Sequence, residues 1–136
     1  MNRYSLILVP ILVLSGCASQ NSAITEGGSQ VLVRQMQTRV YESLDKGDTL
    51  RSVLATLQDL GFVIDTADYE MATITATRLQ EYELRVTVTV KDRNSHQLAV
   101  RANARVDDQL IDDPATYQDF FTVLDKAIFL TRHNVN

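Results

Sequence analysis

The residues able to do covalent or acid–base chemistry are few: one cysteine, two histidines and a set of scattered acids. An enzyme needs convergent groups, such as a nucleophile beside a base, paired carboxylates in a cleft, or a set of metal ligands. His96 ends the polar stretch Asp92-Arg93-Asn94-Ser95-His96, which reads as a turn, and His133 stands three residues from the end, so neither has a partner at hand. The acids from Asp107 to Asp113 lack the oxygen-ligand spacing and central glycine of an EF-hand loop. A solvated loop whose last acid caps a helix accounts for them. There is no phosphate-binding glycine loop. The sequence therefore points to no catalytic residue, no metal ligand and no cofactor.

The cysteine is different, because its surroundings define a chemistry. Arg3 and the amino terminus form a positive region, Leu6 to Leu14 an apolar one interrupted by Pro10, and small residues follow, which is the layout of an export signal. Nine or so apolar residues are too few to span a membrane, which takes about 20 in a helix. Leu14-Ser15-Gly16-Cys17 closes this segment and resembles the lipobox of bacterial lipoproteins. That resemblance implies cleavage before Cys17, a thioether to diacylglycerol on its sulfur and acylation of the new amino group. A lone thiol in an oxidising compartment invites stray disulfides, whereas lipidation consumes it. Three acyl chains exceed what stable anchoring requires. Ala18 and Ser19 follow with no aspartate, a pattern that in enterobacterial-type lipoproteins implies forwarding to the outer membrane, facing the periplasm.

Removing residues 1 to 16 leaves 120 of the 136 residues and takes away only Arg3, so 12 basic side chains face 17 acidic ones, net −5 with the terminus acylated. That mild acidity argues against general nucleic-acid binding, which wants a basic footprint. From Cys17 to about residue 30 the chain is small and polar with no hydrophobic period, a flexible tether with a reach of roughly 20 Å. Residues 31–136 are long enough for one domain with a modest core.

Within that domain, residues 34 to 42 alternate Met36, Thr38 and Val40 with Gln35, Gln37, Arg39 and Tyr41, which reads as a strand. Leu50, Val53, Leu54, Leu57 and Leu60 have helical spacing, with Asp48 as the expected N-cap and Gly61 as the residue past the C-cap. Short alternating segments at Phe62–Asp65 and Thr73–Thr77, separated by a turn over residues 66–70, look like a hairpin. Leu84, Val86, Val88 and Val90 alternate with Arg85, Thr87, Thr89 and Lys91, and Leu98, Val100, Ala102, Ala104 and Val106 repeat the pattern on a return strand. One sheet face is then apolar and the other wet. Asp113-Pro114 pairs an N-cap with an N1 proline, opening a helix to about Thr131 that sets Tyr117, Phe120, Phe121, Leu124 and Ile128 on one face. The expected order is β-α-β-β-β-β-α, an α+β two-layer sandwich in which two helices cover one face of an antiparallel sheet.

Leu57-Gln58-Asp59-Leu60-Gly61-Phe62, then Ile74-Thr75-Ala76-Thr77, and later Asp113-Pro114 with Tyr117-Gln118-Asp119-Phe120-Phe121 and Leu130 resemble small proteobacterial envelope lipoproteins of unassigned function over most of residues 34 to 131. The helix, Leu-Gly-Phe, hairpin arrangement, over about 30 residues, is also similar in architecture to a helix-grip domain of the BamC lipoprotein of the outer-membrane β-barrel assembly machinery.

The wet face asks for explanation. The registers expected here place Thr73, Thr75, Thr77, Arg85, Thr87, Thr89, Lys91, Arg101, Asn103 and Arg105 on it, four cations with no anion on an acidic protein. Such a face suits an acidic partner or anionic head groups. Phe129 falls outside the apolar face of the last helix and is a second candidate contact. The first strand, if it lies at a sheet edge, is a third, open to strand addition by another chain. These features lead to the expectation of a non-enzymatic, lipid-anchored accessory subunit of an envelope protein complex, with Arg85, Lys91, Arg101, Arg105 and Phe129 as partner-binding residues. The alternative is a carrier for a lipid or small ligand, because Ala76, Ala102 and Ala104 leave space between sheet and helix.

Overall fold

The computed structural model describes residues 30–133 apart from Ser43. Cys17, the export signal and most of the tether lie outside them. The described chain is an α+β two-layer sandwich: a six-stranded antiparallel sheet with two long helices on one face. Residues 30–36 form a helix, α1, followed by β1 (Thr38–Glu42), α2 (Lys46–Asp59), β2 (Val63–Asp68), β3 (Thr73–Leu79), β4 (Glu83–Asn94), β5 (Gln97–Val106), β6 (Gln109–Leu110) and α3 (Pro114–Arg132). The strand order is β1-β5-β4-β3-β2, with β6 also paired to β5.

The alternation in β4 and β5 does the main work. Leu84, Val86, Val88 and Val90 pair with Val106, Ala104, Ala102 and Val100, and all but Val106 are buried. α2 adds Leu50, Val53 and Leu57, and α3 adds Tyr117, Phe120, Phe121, Leu124 and Ile128, all five of the residues expected on its face. Phe120 and Phe121 meet edge to face with centroids 5.1 Å apart. Each such side chain taken out of water contributes about 1.5–3 kcal/mol, which fixes both helices on this face.

The N-terminal part differs from the sequence expectation. Residues 34–36 are helical rather than extended, and Gln37 N donates to Val33 O at 3.0 Å to close the helix. Val33 and Met36 are half-buried on one stripe, a spacing of three that an alternating pattern over so few residues cannot exclude. In β1 the inward residues are Arg39 and Tyr41, opposite the core residues Val100 and Leu98. Two polar side chains fit there because α3 supplies a carboxylate: Asp125 accepts from Arg39 Nη1 at 2.6 Å and from the Tyr41 hydroxyl at 2.7 Å. The Arg39 guanidinium also lies over the Phe121 ring, 4.8 Å from its centroid.

α2 starts one turn before the expected place. Asp45, not Asp48, is its N-cap and accepts from Asp48 N at 2.9 Å, while Asp48 sits in the first turn and pairs with Arg51. Gly47 lies inside that turn, and its poor helix propensity is what makes the true start look like a loop. Gly61, at φ +82°, ends the helix as expected. β2 runs on to Asp68, so the turn is later than expected, with Ala72 at φ 50°. The acid loop after β5 is a hairpin: Asp107 and Asp108 both have positive φ between the paired Val106 and Gln109, the mark of a type I′ turn. Asp113 caps α3, accepting from Thr116 N, with Pro114 at its first position, as expected.

Candidate interaction surface

The outer face of the sheet is built by the residues that alternate with the core. Arg85 stands opposite Arg105, Thr87 opposite Asn103, Thr89 opposite Arg101 and Lys91 opposite Ala99. Thr73 and Thr75 of β3 extend the row against Thr89 and Thr87, with hydroxyl pairs 3.4 Å apart in each case. The structure thus brings Arg85, Lys91, Arg101 and Arg105 onto one face. Like charges directly opposite destabilise a sheet, and the Arg85–Arg105 pair is relieved by an anion: Glu83 Oε1 accepts from Arg85 Nη2 at 2.7 Å.

That anion corrects the expectation of a face without acids. β4 begins at Glu83, which extends the outward row by one position. A bulge between Ile64 and Thr66 interrupts the regular alternation of β2, and Asp65 there accepts from the Thr77 hydroxyl at 2.6 Å. Cations therefore occupy the centre of the face, with Glu83 at the end of the Arg85 strand, Asp65 toward the β2 edge and Asp112 beside Arg101 and Arg105 after β6.

Two shallow hollows flank the central arginines. One is bounded by Val63, Thr77, Leu79 and Arg85; Val63 and Leu79 are 71% and 75% exposed although they sit on a sheet. The other is bounded by Val33 and Arg34 of α1, by Arg101 and Arg105, by Leu110 of β6, and by the carboxylate of Asp112. α1 and β6 were not expected from the sequence, and both help shape this second hollow. The only sequence signs of them were the helical spacing of Val33 and Met36 and an Asp-Asp pair after an alternating strand.

Phe129 is 57% exposed on α3, in the layer behind the sheet, and stacks on His133 with centroids 4.2 Å apart. It is not part of the outer face. His96 is exposed in the β4–β5 turn, its Nδ1 2.7 Å from the Ser95 hydroxyl. β1 does end the sheet, as the strand-addition expectation requires, but Arg132 of α3 donates to the Glu42 carbonyl and occupies part of that edge. Among the described residues no cluster of three His, Cys, Asp or Glu side chains could hold a metal ion, and no helix is long and apolar enough to cross a membrane. Among the described residues the most perturbed titratable group is Tyr41, whose phenol is held far above its usual range, first by burial and then by the hydrogen bond to Asp125. That group lies on the helix side and belongs to the β1–α3 contact.

The chain is thus an α+β sandwich presenting a cationic, threonine-rich sheet face. No family model matches it, and no curated protein does either.

Proposed function

We propose that this protein is a lipid-anchored accessory subunit of a cell-envelope protein complex, tethered through Cys17 to the periplasmic leaflet of the outer membrane and docking a protein partner with the outer face of its sheet. The observation that carries the docking surface is the exposure of Val63 and Leu79 beside Arg85. A solvated strand face gains nothing from two large apolar side chains in water, whereas an interface gains from apolar contacts bordered by charges of both signs, here Arg85 with Asp65 and Glu83. The lipobox-like run ending at Cys17 and the short polar stretch after it support the address. The cations orient the partner more than they hold it, so an acidic or mixed-charge protein surface fits best.

The test is charge reversal at Arg85, Arg101 and Arg105 together. Circular dichroism should show an intact fold, because all three side chains point away from the core. Crosslinking in cells followed by mild-detergent purification should recover a defined envelope complex with the wild type and lose it with the variant. Equal recovery from both removes the sheet face from the proposal.

A further inference from the structure

The inner face of the sheet carries a cation as well as a core. Along β3 the inward positions run Ile74, Ala76, Arg78; the first two are buried and the third is half-buried. Arg78 Nη1 donates to the Leu60 carbonyl at 3.0 Å, and the guanidinium lies over the Phe62 ring, 4.9 Å from its centroid. These contacts fix its plane but use one of five N–H donors. Among the described residues it makes no ion pair.

Beside Arg78 a cavity of about 190 Å³ lies between the sheet and the helices, walled by Leu57, Val86, Ala102, Ala104 and Phe120. Ala102 and Ala104 leave this room, where larger strand residues would fill it. Ala76, expected to contribute, does not line it. An apolar cavity of about 150 Å³ takes benzene, and drug-sized ligands need about 300 Å³ or more. This volume therefore suits one ring or one short alkyl chain and excludes a whole diacyl lipid.

We propose that the cavity binds a small anionic amphiphile, a carboxylate bearing one short alkyl chain or ring, with the apolar part against Ala102 and Ala104 and the carboxylate on the free edge of the Arg78 guanidinium. Asp119 also borders the cavity. It is exposed, so water screens it, whereas Arg78 is half-buried and acts through a lower effective dielectric. The field at the mouth accordingly favours an anion, and the planar fork matches a carboxylate. The site faces the helices, on the opposite side of the sheet from Arg85, and stands independently of the partner surface.

The test uses the full mature chain, residues 17–136, with Cys17→Ser to keep it soluble, titrated calorimetrically with butyrate, hexanoate, octanoate and 1-octanol. Affinity should rise about fourfold per added methylene across the carboxylates. Arg78→Gln should weaken octanoate at least about tenfold, the loss of a charge-assisted pair, and leave 1-octanol nearly unchanged. Ala104→Leu should abolish both, with Ala102→Val as the filling variant if the first does not fold by circular dichroism. No octanoate binding below its micelle-forming range overturns the proposal, and so does octanoate binding that is indifferent to Arg78→Gln or to filling the cavity.

Discussion

Tyr117 donates its hydroxyl hydrogen to the Ile111 carbonyl across 2.6 Å, and this contact closes a gap in the sheet. β1 pairs with β5 as far as Arg101, Gln37 O accepts from Ala102 N, and β6 resumes the pairing at Arg105. Between them Ala104 N has no strand partner and donates to the Tyr117 oxygen at 3.3 Å, which also receives Gln37 Nε2 at 3.1 Å. One helix side chain thus completes this stretch of β5 and ties α3 to Gln37, just before β1, and to Ile111, just after β6.

Tyr117→Phe should therefore cost far more than one methyl-sized change in packing. It leaves the Ala104 amide and the buried Gln37 amide without their acceptor, and each orphaned group costs about 1–3 kcal/mol. Urea unfolding should show a loss of about 3 kcal/mol; a loss below about 1 kcal/mol would mean that water or a relaxed backbone replaces the hydroxyl.

The clamp between β1 and α3 gives a pH dependence. Tyr41 has a folded-state pKa above the unfolded value of about 10. Below that value both states keep the proton and the contribution is complete; above it the unfolded chain ionises while the folded one does not, so stability falls as pH rises. Urea midpoints from about pH 7 to about pH 11 should decline less steeply for Tyr41→Phe than for the wild type. Parallel curves would show that Tyr41 ionises as freely folded as unfolded.

The two acids at the start of α2 should separate cleanly. Asp45→Ala removes the cap that holds Asp48 N and should cost about 1 kcal/mol. Asp48→Ala loses only an exposed pair with Arg51 and a favourable place near the helix N-terminus, less than about 0.5 kcal/mol. The reverse ranking in thermal unfolding would restore the sequence-based cap.

Thr56 is fully buried in α2, and its hydroxyl oxygen finds no partner among the described residues. Thr56→Val keeps the shape and removes the unpaired group, so chemical denaturation should show a gain of about 1 kcal/mol. A loss of similar size would reveal a hidden partner for the hydroxyl.

Where the chain has a clean period, the sequence states the structure. β4, β5 and α3 were legible to within a few residues, because four or five buried side chains in each repeat at the spacing that only one element type permits. The misreadings fall at short or weakly periodic ends, such as α1 and the Gly47 turn of α2, and where polar residues enter the core layer. Arg39 and Tyr41 face inward because Asp125, 84 residues or more away, satisfies them, and no local pattern reports that partner. The cation row Arg85, Lys91, Arg101, Arg105 was legible from alternation alone, but its anionic neighbours depended on a bulge in β2 and on where β4 begins. Arg78 is not legible as a site, because a single charged residue at the end of an alternating strand reads as the strand's limit, when it is the last inward position.

The measurement that bears most directly on the docking surface is position-specific photo-crosslinking of the lipidated protein in cells, with the crosslinker at Leu79 on the outer face or at Gln118 on the exposed side of α3. A discrete adduct with an envelope protein is expected from Leu79, absent from Gln118 and lost when Arg85, Arg101 and Arg105 are reversed. The same adducts from both positions, or uncrosslinked protein alone from Leu79 at high efficiency, would contradict the docking surface.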